Sequence, residues 1–246
     1  MRKQLIVALS CLAVLAAASR AAAPAEGKPR VLLTYGGHDF QEKEFFAMWD
    51  ALPGVTYTKA PLPQSADLFK PGLEKNYDVI VCYDMVGKLT PGQQRGLLAL
   101  LQRGIGFVSL HHNLGSNLQW PEYHKVIGGS WLNQKQTIDG RDYGPSTYEH
   151  DQDISVKIAD KDHPITKGLH DFVIHDETYG KTYVAPSVHI LLTTDNPKNA
   201  VPFAWTNHYG KSRIVYLQAG HDAEAWTNPA FPKLLTGSIR WAAEKD

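Results

Sequence analysis

Short apolar runs along the chain alternate with stretches whose apolar residues recur at helical spacing. Arg30 to Tyr35 is such a run, closed by Gly36-Gly37, the pattern of a buried strand that feeds a loop. Gln41 to Leu52 then places Phe45, Phe46, Trp49 and Leu52 on one helical face. Pro53-Gly54 ends this helix before a second strand at Val55 to Thr58. Asn76 to Cys82 reads as a third buried strand. Thr90-Pro91 offers an N-cap followed by proline at the first helical position for a helix over Gly92 to Arg103, which Gly104 stops. Ile105 to Leu110 is a fourth strand that ends abruptly at His111-His112. Strands that alternate with helices predict an α/β fold, a three-layer α/β/α arrangement with a mostly parallel sheet and right-handed crossovers. Ligands of such sheets lie beyond the carboxyl ends of the strands.

The second half is less regular. A short helix is expected at Pro121 to Ile127, with strands at Ile154 to Ile158, Phe172 to His175 and His189 to Thr193. Val201 to Thr206 and Arg213 to Gln218 flank Tyr209-Gly210-Lys211-Ser212, the signal of an antiparallel C-terminal hairpin. A helix over Pro232 to Glu244, with Leu234, Leu235, Ile239 and Trp241 on one face, closes the chain. No repeat, P-loop or GxGxxG fingerprint is found, so no nucleotide cofactor is expected.

The first residues stand apart from this pattern. Met1-Arg2-Lys3, the apolar run Leu5 to Ala18 and the small residues Ala21-Ala22-Ala23 match a secretory signal peptide over residues 1–23, leaving 24–246 as one domain. The expected location is the periplasm or the exterior, with no membrane partner after cleavage. Composition, at 43% hydrophobic and 20% charged, is that of a globular protein able to bury a core. Lysine plus arginine and aspartate plus glutamate both number 25, so nothing marks the chain as built to grip nucleic acid. Removing residues 1–23 takes three basic residues and Cys11, giving a net charge of about −3. Cys82 remains inside an apolar run, where a buried thiol is expected.

The histidines say more through their positions than through their number. His38-Asp39 follows the first strand, His111-His112 the fourth, Asp176-Glu177 the Phe172 strand and His221-Asp222 the last. Parallel strands would bring these groups to one rim, where histidine and carboxylate suit a divalent metal or an acid/base pair working near neutral pH. Neighbouring residues of a strand point to opposite faces, so one of His111/His112 and one of Asp176/Glu177 is expected to face the site, with the choice open. Asp39, Asp176 and Asp222 are equally open as ligands, supporting partners or caps. His163-Pro164 reads as a turn and His124 as a helix-surface residue. His150, His170, His189 and His208 are isolated and are left outside the candidate set. Trp226 is expected to pack in the core or to stack on a sugar ring.

Gly36-Gly37-His38-Asp39-Phe40, Leu110-His111-His112, His163-Pro164-Ile165, Asp176-Glu177-Thr178-Tyr179 and Tyr209 to Arg213 leading to Gly220-His221 occur in an order that resembles the ThuA-like (trehalose utilisation) family. The resemblance runs from about residue 29 to residue 243. It implies a flavodoxin-like, class I glutamine amidotransferase-like fold. Amidotransferases of that fold carry a cysteine on the turn after the strand matched here by Ile105 to Leu110. This chain has His111-His112 there, and Cys82 lies on an earlier strand, so a thiol nucleophile is not expected. His221 matches the late histidine of those enzymes.

The resemblance further implies disaccharide or keto-sugar metabolism, with a small carbohydrate as partner. The expected catalytic set is His38, His111, His112, Glu177 and His221. Asp39, Asp176, Tyr179 and Trp226 are the expected substrate contacts. His38, His112 and His221 are the expected ligands of a divalent metal, zinc or manganese. Hydrolysis, hydration and isomerisation are all compatible with such a site. The alternative is a non-catalytic carbohydrate-binding or accessory protein on a degenerate amidotransferase scaffold.

Overall fold

The computed structural model of the chain describes residues 27–138 and 140–244, so the expected signal peptide lies outside the described residues. The first half holds β1 (Arg30–Gly36), α1 (Glu42–Asp50), β2 (Thr56–Pro61), β3 (Val79–Asp84), α2 (Pro91–Leu101), β4 (Gly106–Leu110) and α3 (Pro121–Ile127). Three short strands follow, β5 (Gly129–Ser130), β6 (Gln136–Ile138) and β7 (Arg141–Tyr143). The rest comprises β8 (Thr147–Ile158), β9 (Phe172–Gly180), β10 (Tyr183–Val184), β11 (His189–Thr194), β12 (Pro202–Tyr209), β13 (Ser212–Leu217), α4 (Ala223–Thr227) and α5 (Ala230–Ala243).

Alternation along the central strands builds the three layers. Val31 and Leu33 of β1, Val79 and Val81 of β3, and Val215 of β13 face a core filled by Phe45 and Trp49 of α1, Trp226 of α4 and Leu234, Leu235 and Ile239 of α5. Leu32, Ile80 and Ile214 face the opposite core, closed by Leu97, Leu100 and Leu101 of α2 and Tyr123, Val126 and Ile127 of α3. Both faces of these strands are therefore apolar, which is why they read as continuous hydrophobic runs. The N-cap expected at Thr90 is a full capping box, with Thr90 and Gln93 each bonding the other's backbone N–H.

The nine-stranded sheet has the order β2-β1-β3-β4-β13-β12-β11-β8-β9. The first five of these strands are parallel, and each later step across the sheet is antiparallel. The expected hairpin is β12–β13, and the antiparallel region continues past it through β11, β8 and β9. After four reversals β9 runs in the same direction as β4. The carboxyl ends of β1, β4, β13 and β9 and the start of β8 thus share one edge of the sheet.

The β8–β9 hairpin is longer than the expected strands at Ile154 to Ile158 and Phe172 to His175. Its outer half, Thr147 to Gln152, is polar and mostly exposed and lacks the apolar alternation that marks a strand. Helix α4, five residues long, was likewise not marked by its pattern.

Helix α2 lies so close to the preceding segment that a Cβ at Gly96 would overlap the Phe69 carbonyl oxygen. Alanine at an ordinary helical glycine stabilises by about 0.5–1 kcal/mol. Gly96→Ala is expected to do the opposite, costing roughly 1–3 kcal/mol because backbone must move. A urea titration reads the sign, and a raised midpoint would show that the close approach is not a constraint.

Candidate functional site

β4 ends at Leu110, and the next residue, His111, takes a left-handed backbone with φ of 48° at the start of a 3-10 turn over His111–Gly115. Such a φ is uncommon outside glycine and marks a sharp elbow at the sheet edge. The turn is braced from below by the buried Asp84 at the end of β3. Asn113 and Ser116 donate to its carboxylate at 3.2 and 3.1 Å, and Thr34 of β1 donates at 2.5 Å. Burial pushes the Asp84 carboxyl above its ordinary range, against the pull of these hydrogen bonds. Tyr216 of β13 holds the elbow itself, donating to the His111 carbonyl at 3.2 Å.

The chain has left the strand here: His111 enters the histidine–carboxylate group, whereas His112 packs against His38 and Tyr83. Both are buried. Leu217 pairs with Leu110 across the sheet, and the next carbonyl, Gln218, accepts from His111 Nδ1 at 2.7 Å. A carbonyl cannot donate, so Nδ1 carries a proton and Nε2 is the nitrogen that faces the site.

Around His111 Nε2 lie Glu177 Oε2 at 3.1 Å, Tyr179 Oη at 3.0 Å and His221 Nδ1 at 3.3 Å. His221 Nδ1 is itself 3.5 Å from Glu177 Oε2. His150 closes the group, with Nδ1 at 3.1 Å from His221 Nε2 and 3.3 Å from Glu177 Oε1. Burial disfavours a charged His111, yet the Glu177 hydrogen bond and the Asp176 and Glu177 charges outweigh it and raise its pKa. Burial also favours a neutral Glu177, but the hydrogen bond from His111 and the facing His111, His221 and His150 hold its carboxyl below the usual range. His221 is pushed down, first by burial and then by His111.

His150 is the site residue that the sequence reading left out. In the β8–β9 ladder Glu149 pairs with Thr178 and Gln152 with Asp176, so His150 and Asp151 stand opposite the single residue Glu177. Two residues against one make a bulge, with Asp151 at a φ of 56°, and a bulge re-aims the side chains beside it. Nothing local in the sequence announces this. Tyr148, 56% exposed, lies 5.3 Å from the His150 ring and 6.1 Å from Trp131, centroid to centroid. Trp131 in turn meets Tyr179 at 5.2 Å, and Tyr179 stacks on His111 at 4.9 Å. An aromatic wall therefore runs from solvent to the histidines.

The remaining expected residues have different places. His38 is exposed and stacks on His112 at 4.7 Å, and Asp39 is exposed on the same loop. His112 Nε2 faces the Tyr83 carbonyl at 3.4 Å, and burial, with His111 and His38, keeps the ring neutral by pushing its pKa well down. His111, Glu177 and His221 are the residues whose ligand atoms come together among the described residues, so the expected metal set of His38, His112 and His221 is not a cluster.

Asp176 is also redirected. Both its oxygens are taken by backbone, from Gly220 at 2.8 Å and from His221 at 3.1 Å, and it positions the turn that carries His221 instead of reaching a substrate. Trp226 is 2% exposed, packed on Phe45 and Tyr83, with its indole N–H donated to Gly220, so no face is free for a sugar. Tyr179 is buried against His111. Asp222 caps α4, accepting from Glu224 and Ala225. Cys82 is buried, and burial followed by the Asp84 charge pushes its thiol well up, away from nucleophilic use. A cavity of about 850 Å³ lies between α3, β6 and β10 and shares no residue with the histidine cluster. Its lining carries His124, Lys125 and His208 but no carboxylate among the described residues, so the paired acid and base groups stand at the histidine–Glu177 cluster instead.

Residues 33–242 match the family model ThuA, described as trehalose utilisation. Among solved structures, a Parabacteroides merdae protein described as ThuA-like superposes with a TM-score of 0.73 at 21% identity, covering 87% of this chain and 90% of that one. A second described in the same way, from Bacteroides uniformis, gives 0.67 at 21% identity over 92% and 95%. A protein from Salmonella typhimurium described as cytoplasmic gives 0.61 at 14% identity over 88% and 100%. These likenesses show the shared α/β fold. No curated protein matches the chain. The match over nearly all of the described residues identifies this chain as a member of the ThuA (trehalose utilisation) family.

Proposed function

We propose that this protein is an enzyme of carbohydrate metabolism, acting after export in the periplasm or exterior on a disaccharide or keto-sugar held at the His111–Glu177–His221–His150 cluster. The observation that carries this reading is the convergence of these four groups at the carboxyl edge of the sheet, where an exposed aromatic wall meets them. Sugar rings stack on aromatic faces through their C–H surfaces, and Tyr148 and Trp131 offer such faces beside the titratable groups.

Hydrolysis, hydration and isomerisation share one need, a group that takes a proton from water or a hydroxyl and returns it to an oxygen. His150 is half-exposed and touches both His221 and Glu177, so it links a bound sugar to the buried His111–Glu177 pair. Glu177, held ionised by the three histidines, is the base, and His111, held by Gln218, is the acid behind it. With Cys82 buried, the chemistry proceeds without a thiol.

His221→Ala is expected to abolish turnover while leaving the unfolding free energy from urea titration within about 1 kcal/mol of the parent, since the side chain is not part of the core. A preserved rate in a panel of disaccharides and their keto derivatives would remove His221 from the mechanism. Tyr148→Ala should weaken binding of the same sugars by up to about tenfold in calorimetry, the usual scale of one stacking contact. Unchanged affinity would place the sugar elsewhere.

A further inference from the structure

The reading above needs something positive among His111, Glu177 and His221, and a proton on His111 is one way to supply it. We infer that the same three side chains form a binding site for a divalent transition metal, with His111 Nε2, His221 Nδ1 and Glu177 Oε2 as ligands and His150 as the group that orients His221. The inference rests on this cluster being the reaction centre, but its chemistry stands on the three ligand atoms alone.

The argument begins with which atoms carry lone pairs. His111 Nδ1 is committed as a donor to Gln218, so Nε2 is the nitrogen 3.1 Å from Glu177; it either donates a proton to that carboxylate or, without the proton, offers a lone pair to a metal. His221 Nε2 meets His150 Nδ1 at 3.1 Å. When it donates there, His221 Nδ1 turns a second lone pair toward the same point, 3.3 Å from His111 and 3.5 Å from Glu177. Once His111 Nε2 gives up its proton, three ligand atoms face one another in a region that is largely dry, with His111 wholly buried and Glu177 at 6% exposure. A divalent cation seated there takes the place of that proton and supplies the positive charge the group calls for.

The spacing selects the kind of cation. Nitrogen and oxygen ligands about 2.0–2.2 Å from zinc stand roughly 3.3–3.6 Å apart along the edges of a tetrahedron. The three edges here are 3.1, 3.3 and 3.5 Å, so the side chains need to move by only a few tenths of an ångström. Calcium or magnesium would ask for more oxygen ligands than this group offers. Two histidines and one carboxylate make the ligand set of a zinc or related site whose further position takes water or substrate. Each histidine is also held through its outer nitrogen, His111 by the Gln218 carbonyl and His221 by His150, as metal-ligating imidazoles characteristically are.

The test uses the mature chain stripped with chelator and then titrated with Zn²⁺, Mn²⁺ and Co²⁺, with bound metal measured by elemental analysis after gel filtration. The expected result is about one Zn²⁺ per chain, and intense visible absorption from Co²⁺ in a tetrahedral site. Glu177→Gln and His221→Ala should each weaken Zn²⁺ binding at least a hundredfold, and His150→Ala by about ten- to a hundredfold. His38→Ala should change it by less than threefold, because His38 stacks on His112 outside the group. Circular dichroism melts confirm that each variant is folded, and Glu177→Gln carries the test if His221→Ala is not. Parent affinity no better than that of Glu177→Gln, or an equal loss in His38→Ala, would overturn the assignment. The titration contains no sugar, so the two readings fail separately. Disaccharide binding without Zn²⁺ binding sinks the metal, and Zn²⁺ binding without any sugar affinity sinks the carbohydrate reading.

Discussion

The hydrogen bond from His111 Nδ1 to the Gln218 carbonyl decides the character of the site. At 2.7 Å inside a fully buried setting it fixes the tautomer of His111, and with it the nitrogen that faces Glu177, Tyr179 and His221. The bond exists because β4 and β13 are neighbours in the parallel half of the sheet, with Leu110 beside Leu217, so the residue after each strand meets the other. An elbow on a strand without that neighbour would leave the ring free to turn over. Gln218 also reaches sideways, its amide exchanging hydrogen bonds with Asn199 and donating to the Glu177 carbonyl, and so ties β9 to the same edge.

Burying so many polar groups costs free energy that only their mutual satisfaction offsets. Asp84 and Asp176 illustrate how the fold meets that cost. Asp84 gathers Thr34, Asn113 and Ser116 beneath the elbow, so the ends of β1 and β3 and the turn after β4 are held together by one carboxyl group. Asp176 accepts from the backbone of Gly220, His221 and Glu177, which sets the turn that delivers His221. Neither contacts the open side of the cluster. The elbow after β4 carries an imidazole, and the supporting network is built around that ring.

Much of this was legible along the chain. Where both faces of a strand are buried, as in β1, β3 and β4, the sequence must be apolar throughout, and the runs at Arg30, Asn76 and Ile105 are readable for that reason. Thr90-Pro91 announces α2, and the helix expected from Pro121 to Ile127 is α3. The outer half of β8 was not legible, because its residues face water on both sides and its pairing with β9 comes from backbone hydrogen bonds that any side chains would permit. His150 sits in that segment.

The sequence alone therefore determined the doubly wound layers, the hairpin at Tyr209 to Ser212, the lack of a cysteine at the elbow and the set of loops that gather at one rim, since each follows from hydrophobic periodicity and chain order. It could not determine which of two adjacent side chains faces that rim. Strand parity fails where His111 adopts a left-handed backbone, and it fails again where two residues of β8 oppose Glu177. In both places the direction of a side chain is set by a local break in backbone regularity. Such breaks are held by contacts between residues far apart in the chain, and only the tertiary structure brings those residues together.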